Sequence, residues 1–295
     1  MSQTTQRTHT FNATAKVLGG NLSLPLVQTV VTQAHAALEP EGGYRAQHTT
    51  GYRLEGVLSY SAGHSQVAGN PKPNPCAALC VEEETKPTKE AGWSTITTTT
   101  IEDLNVLEIL TADRVVGQII TDHPAEGYVP KITFLGTRIE NLRIAGHPVD
   151  LEWDMHILDK KPSNDGPYTQ DPLVLDYLSK QEELIEEDTN TPPEAAEYYN
   201  LYTKRRKSRE EIQCSLVKRV SGFYPGYSRR NVIYVPHFGA IVLAKVTLTH
   251  HDWHPQKGVP MKTYVELTMM DLKLGCAIEG NIPIGTGGSN GQTQP

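Results

Sequence analysis

The sequence contains no hydrophobic run of the length that a membrane-spanning helix requires. A bilayer takes roughly 20 mostly apolar residues in succession, and no segment of the chain approaches that length. The first residues, Met1 to Thr10, are polar and carry no apolar signal-peptide core. We therefore expect no membrane span, a cytoplasmic location for the chain as it stands, and an extracellular or cell-surface location if a leader has been removed.

Cysteine is scarce, with four residues in a chain of 295. Cys76 and Cys80 are the only close pair, and no second Cys or His pair lies at ligand distance in the sequence, so their spacing matches no zinc pattern. Without a secretory signal, thiols are the expected state. A local disulfide between Cys76 and Cys80 remains an alternative.

A basic surface is also missing. The net charge is −7, and residues 171–213 alone hold eleven acidic and six basic residues, which leaves the rest of the chain near neutral. A face that binds nucleic acid needs clustered Lys and Arg. We therefore expect no nucleic-acid partner.

Two common nucleotide-binding motifs are absent, the P-loop and the Gly-x-Gly-x-x-Gly fingerprint after a strand. Their absence removes the corresponding enzyme classes without removing enzymes in general. Asp113, Asp122, His123 and Glu126 could supply acid–base chemistry, because His titrates near neutral pH, but strand ends and a loop account for them more simply. No residue is identified as catalytic, and the sequence favours a protein that is not an enzyme.

What the sequence does contain in quantity is the residue mix of β-sheet. Threonine is plentiful, and 24 Gly and 20 Pro punctuate the chain. Because Thr is β-branched and Gly and Pro favour turns, this mix suits strands joined by turns. We predict a mainly β fold, either an antiparallel β-sandwich or one strongly curled sheet.

The most regular local pattern predicts a β-hairpin. Leu142 and Ile144 alternate into a turn at residues 145–148, and the residues from Val149 to Trp153 alternate out of it. A further strand region is predicted from Gly51 to Tyr60.

Residues 171–213 change to a helical period and predict an inserted helical hairpin. Asp171 is a suitable N-cap with Pro172 at the first helical position, and apolar residues recur at helical spacing from Val174 to Ile185. A second helix is predicted from Thr191, where Thr-Pro-Pro-Glu forms a capping box.

These patterns divide the chain into three parts. Residues 1–10 are predicted to be disordered, and residues 11–284 to form a single β-rich domain that carries the helical insertion. Residues 285–295 form a flexible tail rich in Gly and Asn, which orders only if something docks it. A long loop is predicted over residues 68–92, because its prolines cannot donate to a sheet ladder.

Several segments in fixed order resemble a known family. They are Leu104 to Leu107, Leu110 to Val116 with its Thr-Ala-Asp, Ile139 to Val149, Val235 to Gly239, and Leu267 to Leu274. Together they resemble bacterial choice-of-anchor P proteins and an uncharacterised group of bacterial relatives, over about residues 50–285 outside the insertion. The resemblance implies a β-rich surface-type module with no known activity, and hence supplies no catalytic residue. The signal peptide and C-terminal anchor of the anchored pattern do not appear in the sequence as given.

The segment His250-His251-Asp252-Trp253-His254 is the densest cluster of potential metal ligands. His250, His251, Asp252 and His254 offer imidazole and carboxylate groups, which suit a divalent ion. The alternative is a polar loop between two strands, because metal sites usually draw ligands from several elements and need supporting groups around them. We expect no cofactor, with a divalent metal as the alternative.

Three aromatic residues are candidates for ligand binding. Trp93, Trp153 and Tyr264 could form an aromatic sheet face that binds a carbohydrate or another small ligand. We hold this as an alternative to an interaction role.

The threonine-rich run from Ser94 to Thr100 predicts a strand with two different faces. Thr95, Thr97 and Thr99 share one face, and Ile96 takes the other. The threonine face is either a ligand-facing or self-pairing surface, or part of an ordinary strand with one wet face.

Taken together, these patterns favour a non-enzymatic structural or interaction module built from β-sheet. Its expected partner is another protein or a second copy of the chain, in a homo-oligomer. The alternatives are a metal-dependent enzyme and a protein that binds a small ligand or carbohydrate.

Overall fold

The computed structural model describes most of the chain, namely residues 8–25, 27–54, 56–70, 92–186, 193, 196, 210–275 and 278–294. These residues form 21 strands, one α-helix and two short 3₁₀ turns at Ser163–Asp165 and Tyr168–Gln170. The strands and the helix are β1 (Thr8–Thr10), β2 (Ala13–Leu24), β3 (Gln28–Gln33), β4 (Ala36–Ala37), β5 (Gly43–Leu54), β6 (Leu58–Asn70), β7 (Trp93–Val106), β8 (Leu110–His123), β9 (Lys131–Thr133), β10 (Arg138–Glu140), β11 (Arg143–Ile144), β12 (His147–Pro148), β13 (Asp150–Trp153), α1 (Pro172–Glu186), β14 (Glu211–Ser215), β15 (Val217–Ser221), β16 (Tyr227–Arg229), β17 (Val232–Val235), β18 (Gly239–Trp253), β19 (Pro260–Gly275), β20 (Glu279–Ser289) and β21 (Gln292–Gln294).

Two large sheets pack face to face, and every strand pairing within them is antiparallel. The first sheet has eleven strands with the central order β16-β17-β18-β19-β20-β2-β3, and the second has eight with the central order β12-β11-β8-β7-β6-β5. Strand β2 lies over β6 and β7, and β20 lies over β7 and β8. The predicted mainly β fold is confirmed, and of its two forms the structure is the sandwich of packed sheets.

Alternation of side chains along the strands builds the core between these sheets. In β18, Val246 and Leu248 are fully buried and alternate with the half-buried Lys245 and Thr247. Burying a large aliphatic side chain stabilises the fold by roughly 1.5–3 kcal/mol relative to leaving it exposed. The inward face of β18 continues to His250, which is also fully buried.

Both ends of the domain are built into the sandwich. The expected flexible tail from residue 285 is instead sheet, because β20 runs to Ser289 between β19 and β2, and β21 follows it. At the other end, β1 pairs with β21 although residues 1–10 were expected to be disordered, and residues 1–7 lie outside the described part of the chain. The tail is ordered because the sheet itself docks it.

The predicted hairpin forms, but it is shorter than expected. Strands β11 and β12 pair around Ala145 and Gly146, which both have positive φ angles of 49° and 81° as a type I′ turn requires. Beyond the Val149 N–H bond to the Leu142 carbonyl (2.9 Å), the chain leaves the hairpin. Strand β13 pairs with β15 in a separate two-stranded sheet.

The strand region predicted from Gly51 to Tyr60 is in fact the turn of a long hairpin. Strand β5 ends at Leu54, and β6 begins at Leu58. Gly56, with a φ of 72°, supplies the left-handed residue of the turn. Of the loop predicted over residues 68–92, the first three residues belong to β6, and residues 71–91 lie outside the described ranges.

The predicted helix begins where its N-cap signal placed it. The Asp171 carboxylate accepts hydrogen bonds from the backbone N–H groups of Leu173 (3.0 Å) and Val174 (3.2 Å). Val174 and Leu178 are buried, so the predicted apolar stripe faces the core. Of the second helix of the predicted hairpin, only Pro193 and Ala196 are among the described residues, and both are helical. β14 starts at Glu211, inside the range given to the insertion.

Replacing the N-cap should weaken the fold measurably. Asp171→Ala removes an acceptor from two N–H groups of the first turn, and we expect a loss of about 1 kcal/mol in the free energy of unfolding. Urea denaturation followed by circular dichroism measures it. The control is Asp176→Ala, which removes an exposed carboxylate of the same helix that bonds only Lys180 among the described residues (2.7 Å). Equal losses in both variants would contradict the assigned cap.

Candidate interaction surface

The outer edge of strand β5 is the largest open sheet edge in the second sheet. β5 spans twelve residues and stands at the end of the strand order, where it pairs with β6 alone among the described strands. Nine of its twelve residues are exposed and the other three are half-buried. The part from Tyr44 to Thr50 meets solvent on both faces, with only Thr49 half-buried, whereas Tyr52 and Leu54 pack against the core. We call this feature the β5 edge.

Edge strands usually carry features that prevent pairing with another chain, such as proline, lysine or a bulge. β5 contains no proline and no lysine, and its charged residues are Arg45 and Arg53. Its positive φ angles occur only at Gly43, where the strand starts, and at Gly51. The backbone from Tyr44 to Thr50 is therefore an extended segment in which Arg45 is the one charged side chain that opposes pairing.

The exposed apolar side chains on this side of the sandwich are scattered. β3 ends the eleven-stranded sheet on the side where β5 ends the other, since β2 lies over β6. Val31 is 68% exposed and follows the buried Val30, so it points away from the second sheet, whereas Tyr44 opposes Ala68 on the outer face of that second sheet. Single exposed apolar residues are normal on a protein surface, so the open backbone of β5 is the notable feature here.

A histidine pair lies beside the β5 edge. His48 of β5 and His64 of β6 are opposed in the antiparallel register, with their rings 6.1 Å apart between centroids and inclined by 17°. Both side chains are exposed. The neighbours Gly63 and Ser65 are buried, so the two imidazoles point away from the other sheet.

The histidine at the head of the predicted metal cluster is a core residue. His250 Nε2 accepts a hydrogen bond from the Tyr168 backbone N–H (3.0 Å), and Nδ1 lies 3.1 Å from the Thr263 hydroxyl. Its ring stacks on that of Tyr168 at 6.3 Å. Burial lowers its pKa from 6.5 to about 4, with a smaller contribution from His251. Both ring nitrogens already serve protein groups, so neither is open to an ion.

The remaining members of the predicted metal cluster point elsewhere. His251 and Asp252 are exposed, and His254 Nδ1 accepts from the backbone N–H groups of Gln256 and Lys257 (both 3.3 Å). Within the described residues, no three His, Cys, Asp or Glu side chains converge as metal ligands. The structure therefore does not bring this cluster together. The alternation Val246, Leu248, His250 was the sequence signal for the buried position.

The three predicted ligand-binding aromatics lie on three different sheets. Trp93 begins β7 and packs on a small core cluster, Trp153 ends β13, and Tyr264 lies in β19 with its hydroxyl donating to Glu266 (2.7 Å). Trp153 lines a shallow groove of about 210 Å³ with Asn141. The three side chains do not share one binding face.

The threonine face of β7 is interior. Thr95, Thr97 and Thr99 are each 1% exposed, whereas Ile96 on the other face is 38% exposed. Glycines of the facing strand β20 leave room for these threonines. A Cβ on Gly287 would lie 2.8 Å from Thr97 Cγ2, which is too close. The threonine run is thus a packing surface between the sheets rather than a free one.

A second pair of histidines closes the end of the sandwich. His9 in β1 stacks on Trp93 (5.1 Å between ring centroids) and meets His123 of β8 at 4.5 Å, and its Nδ1 lies 3.0 Å from the Thr293 hydroxyl. His123 is buried, on the opposite face of β8 from the exposed Asp122, so the acid–base group considered from sequence is split. Burial lowers the pKa of His9 to about 4 and that of His123 well below 6.5.

Residues 287–291 read Gly-Gly-Ser-Asn-Gly, the pattern of a nucleophile elbow. That motif requires an exposed serine on a sharp strand-to-helix turn. Ser289 instead ends β20 and is 1% exposed, and its hydroxyl bonds the Thr121 hydroxyl at 2.8 Å. The pattern is part of the glycine-rich packing between the sheets.

Other sequence expectations fall partly outside the described ranges. Cys76, Cys80 and Cys276 belong to those undescribed segments, so their redox state stays a prediction, while Cys214 is buried in the core. Within the described residues, no helix has the length and apolarity to cross a membrane.

The fold and surface together define an antiparallel β-sandwich with a long, exposed edge strand, β5. The chain belongs to the family described as a domain of unknown function, DUF8256, whose model matches residues 9–249. No curated protein and no solved structure matches the chain. The matched range stops within β18, although β19 and β20 follow it and complete the same sheet, with β20 pairing to β2.

Proposed function

We propose that the protein is a self-associating interaction module in which the β5 edges of two copies pair. The observation that carries the proposal is the twelve-residue β5, which is open along one side among the described strands and exposed from Tyr44 to Thr50 on both faces, apart from the half-buried Thr49. Pairing would satisfy its outward N–H and C=O groups and extend the eight-stranded sheet across both copies. The pairing is antiparallel, because a two-fold axis places the same edge of each copy face to face.

A second copy is the partner that the edge itself supports, because a two-fold axis lets two identical edges pair and satisfies the outward backbone groups of both copies at once.

Charges placed on the β5 edge should prevent the association. Ala46→Lys combined with Thr50→Lys puts two ammonium groups on the outer face of each β5, so that four meet at the seam. We expect the wild type to sediment as a dimer at tens of micromolar and the double variant as a monomer. Analytical ultracentrifugation at several concentrations measures the difference, and circular dichroism checks that the variant is folded.

Ile96→Lys is the matched control. Ile96 lies on the same lateral row as Ala68 and Tyr44, two strands from the edge, and it is likewise exposed on the outer face. This variant should sediment as the wild type does. A wild type that is monomeric at every concentration tested would overturn the proposal.

A further inference from the structure

The histidine pair that closes the end of the sandwich has ring nitrogens that no described group uses. His9 Nε2 and both ring nitrogens of His123 are buried, and none of the three has a hydrogen-bond partner among the described residues. The two rings lie 4.5 Å apart between their centroids. Buried polar atoms without a partner are uncommon in proteins and call for an explanation, of which a bound ion is one.

Gly291 lies where the unpartnered nitrogens come together. A Cβ added to Gly291 would lie 2.6 Å from His9 Nε2 and 3.0 Å from His123 Nε2. Both nitrogens therefore border the same small space, which a side chain at this position would fill. Bonds between a metal ion and imidazole nitrogen are about 2 Å long, so one ion joins two nitrogens about 4 Å apart. The two distances from Gly291 allow that separation.

The surroundings of His9 suit a metal ligand. Its Nδ1 lies 3.0 Å from the Thr293 hydroxyl, and with the proton on Nδ1 the lone pair is on Nε2. Histidines that bind metals usually donate their other ring N–H to a protein group in this way. Burial keeps the pKa of both His9 and His123 below 6.5, so both imidazoles are neutral at pH 7, the form that binds metals.

The number and charge of the ligands select the ion. Among the described residues, no third His, Cys, Asp or Glu joins the pair. Lys161, the charged group that acts on His123, is already paired with Asp165 (3.0 Å). The cost of burying an ion rises with the square of its charge, so a site without an anionic ligand favours a monovalent ion. Copper(I) is monovalent, binds imidazole and accepts two ligands in a line, whereas zinc usually takes four.

We propose that His9 and His123 bind one copper(I) ion between their Nε2 atoms, beside Gly291. His9 belongs to β1, which pairs with β21 of the eleven-stranded sheet, and His123 ends β8 of the other sheet. The ion would therefore link the two sheets at the end of the sandwich. The half-buried His9 gives it a route from solvent. The site lies within one chain and does not depend on pairing of the β5 edge.

Copper(I) itself is the probe that tests this inference. The full chain is made without a histidine tag, and every protein tested carries Cys76→Ser, Cys80→Ser and Cys276→Ser, because thiolates also bind copper(I). Copper(I) is titrated without oxygen in competition with the chelator bicinchoninate. We expect the chain to take up one ion, and X-ray absorption to show two nitrogen neighbours at about 2 Å.

Variants of the same protein locate the ion. His9→Gln and His123→Leu each remove a ligand and should weaken binding by more than roughly 100-fold, the upper range for loss of a supporting group. Thr293→Val removes only such a group and should weaken binding about tenfold. Gly291→Ala keeps both imidazoles but places a Cβ between them, and it should also reduce binding. His48→Gln is the matched control, because it removes an exposed histidine of the other pair and should change nothing.

The outcomes separate this site from other copper ligands and from the proposed association. A folded chain that takes no copper(I) from the chelator overturns the site, and its dimerisation is then judged on its own. Binding that survives in both His9→Gln and His123→Leu, or that is lost in His48→Gln, also overturns the site, because the ion is then bound elsewhere. Circular dichroism checks that each variant is folded. Loss confined to the variants of His9, His123, Thr293 and Gly291 supports the site.

Discussion

The free energy of unfolding is expected to fall as the pH is lowered from about 6.5 to about 5. Burial lowers the pKa of His250 to about 4 and holds that of His123 well below 6.5. In the unfolded chain both recover ordinary values near 6.5 and take up protons in this range, while the folded protein takes up few. Because the unfolded state binds more protons, stability is lost with falling pH, by on the order of 2 kcal/mol at pH 5 for His250. Urea denaturation at several pH values measures the change.

The variant His123→Leu tests how much of this pH dependence of the free energy of unfolding comes from His123. Neither ring nitrogen of His123 has a hydrogen-bond partner among the described residues, so an apolar side chain of similar size removes the proton linkage without breaking a bond. The variant should be more stable than the wild type at pH 5, and the difference should shrink toward pH 7. The carboxylates titrate in the same way in both proteins, so their contributions cancel in the difference between the two free energies of unfolding. Parallel pH profiles of the two proteins would exclude His123 as a source.

Gly239→Ala is expected to cost more than about 3 kcal/mol of the free energy of unfolding, in the range of severe single substitutions. Gly239 begins β18 with a φ of 119°, and a Cβ there would lie 2.1 Å from the Lys273 carbonyl oxygen. That oxygen belongs to the backbone of β19, the neighbouring strand, so it cannot move aside without breaking the sheet. The loss is measured by urea denaturation at pH 7.

The control for this substitution is Gly258→Ala. Gly258 also has a positive φ, of 64°, but a Cβ there meets nothing within 4 Å. The control therefore carries the backbone strain alone, roughly 1–2 kcal/mol. If both variants lose the same stability, the close approach of Gly239 to β19 is not what requires glycine there.

Local patterns in the sequence predict the elements best where a single segment contains all the information. The Asp171 cap and the Ala145-Gly146 turn both depend on neighbours within a few residues, and both are present in the structure. The second arm of the predicted hairpin is β13, which pairs instead with β15, a strand more than sixty residues further along the chain. No local pattern reports that pairing.

The open edge and its histidines were beyond sequence reasoning for the same reason. His48 and His64 are ordinary polar residues in the sequence, and only the β5–β6 register opposes them. In contrast, the clustered histidines at 250–254 look like a site because they are close in sequence. Adjacent side chains in a strand point to opposite faces. His250 and His251 are neighbours in β18, and for that reason they point away from each other.

The sequence by itself determined a mainly β fold, the start of its helix and the turn at Ala145-Gly146, because two-residue alternation and turn chemistry are local properties of the chain. Only the tertiary structure decided which face of each strand is covered. Thr95, Thr97 and Thr99 are interior because glycines of the opposite sheet leave room for them, and most of β5 is exposed because little of the other sheet lies over it. Burial depends on what lies opposite a strand, and that partner is distant in sequence.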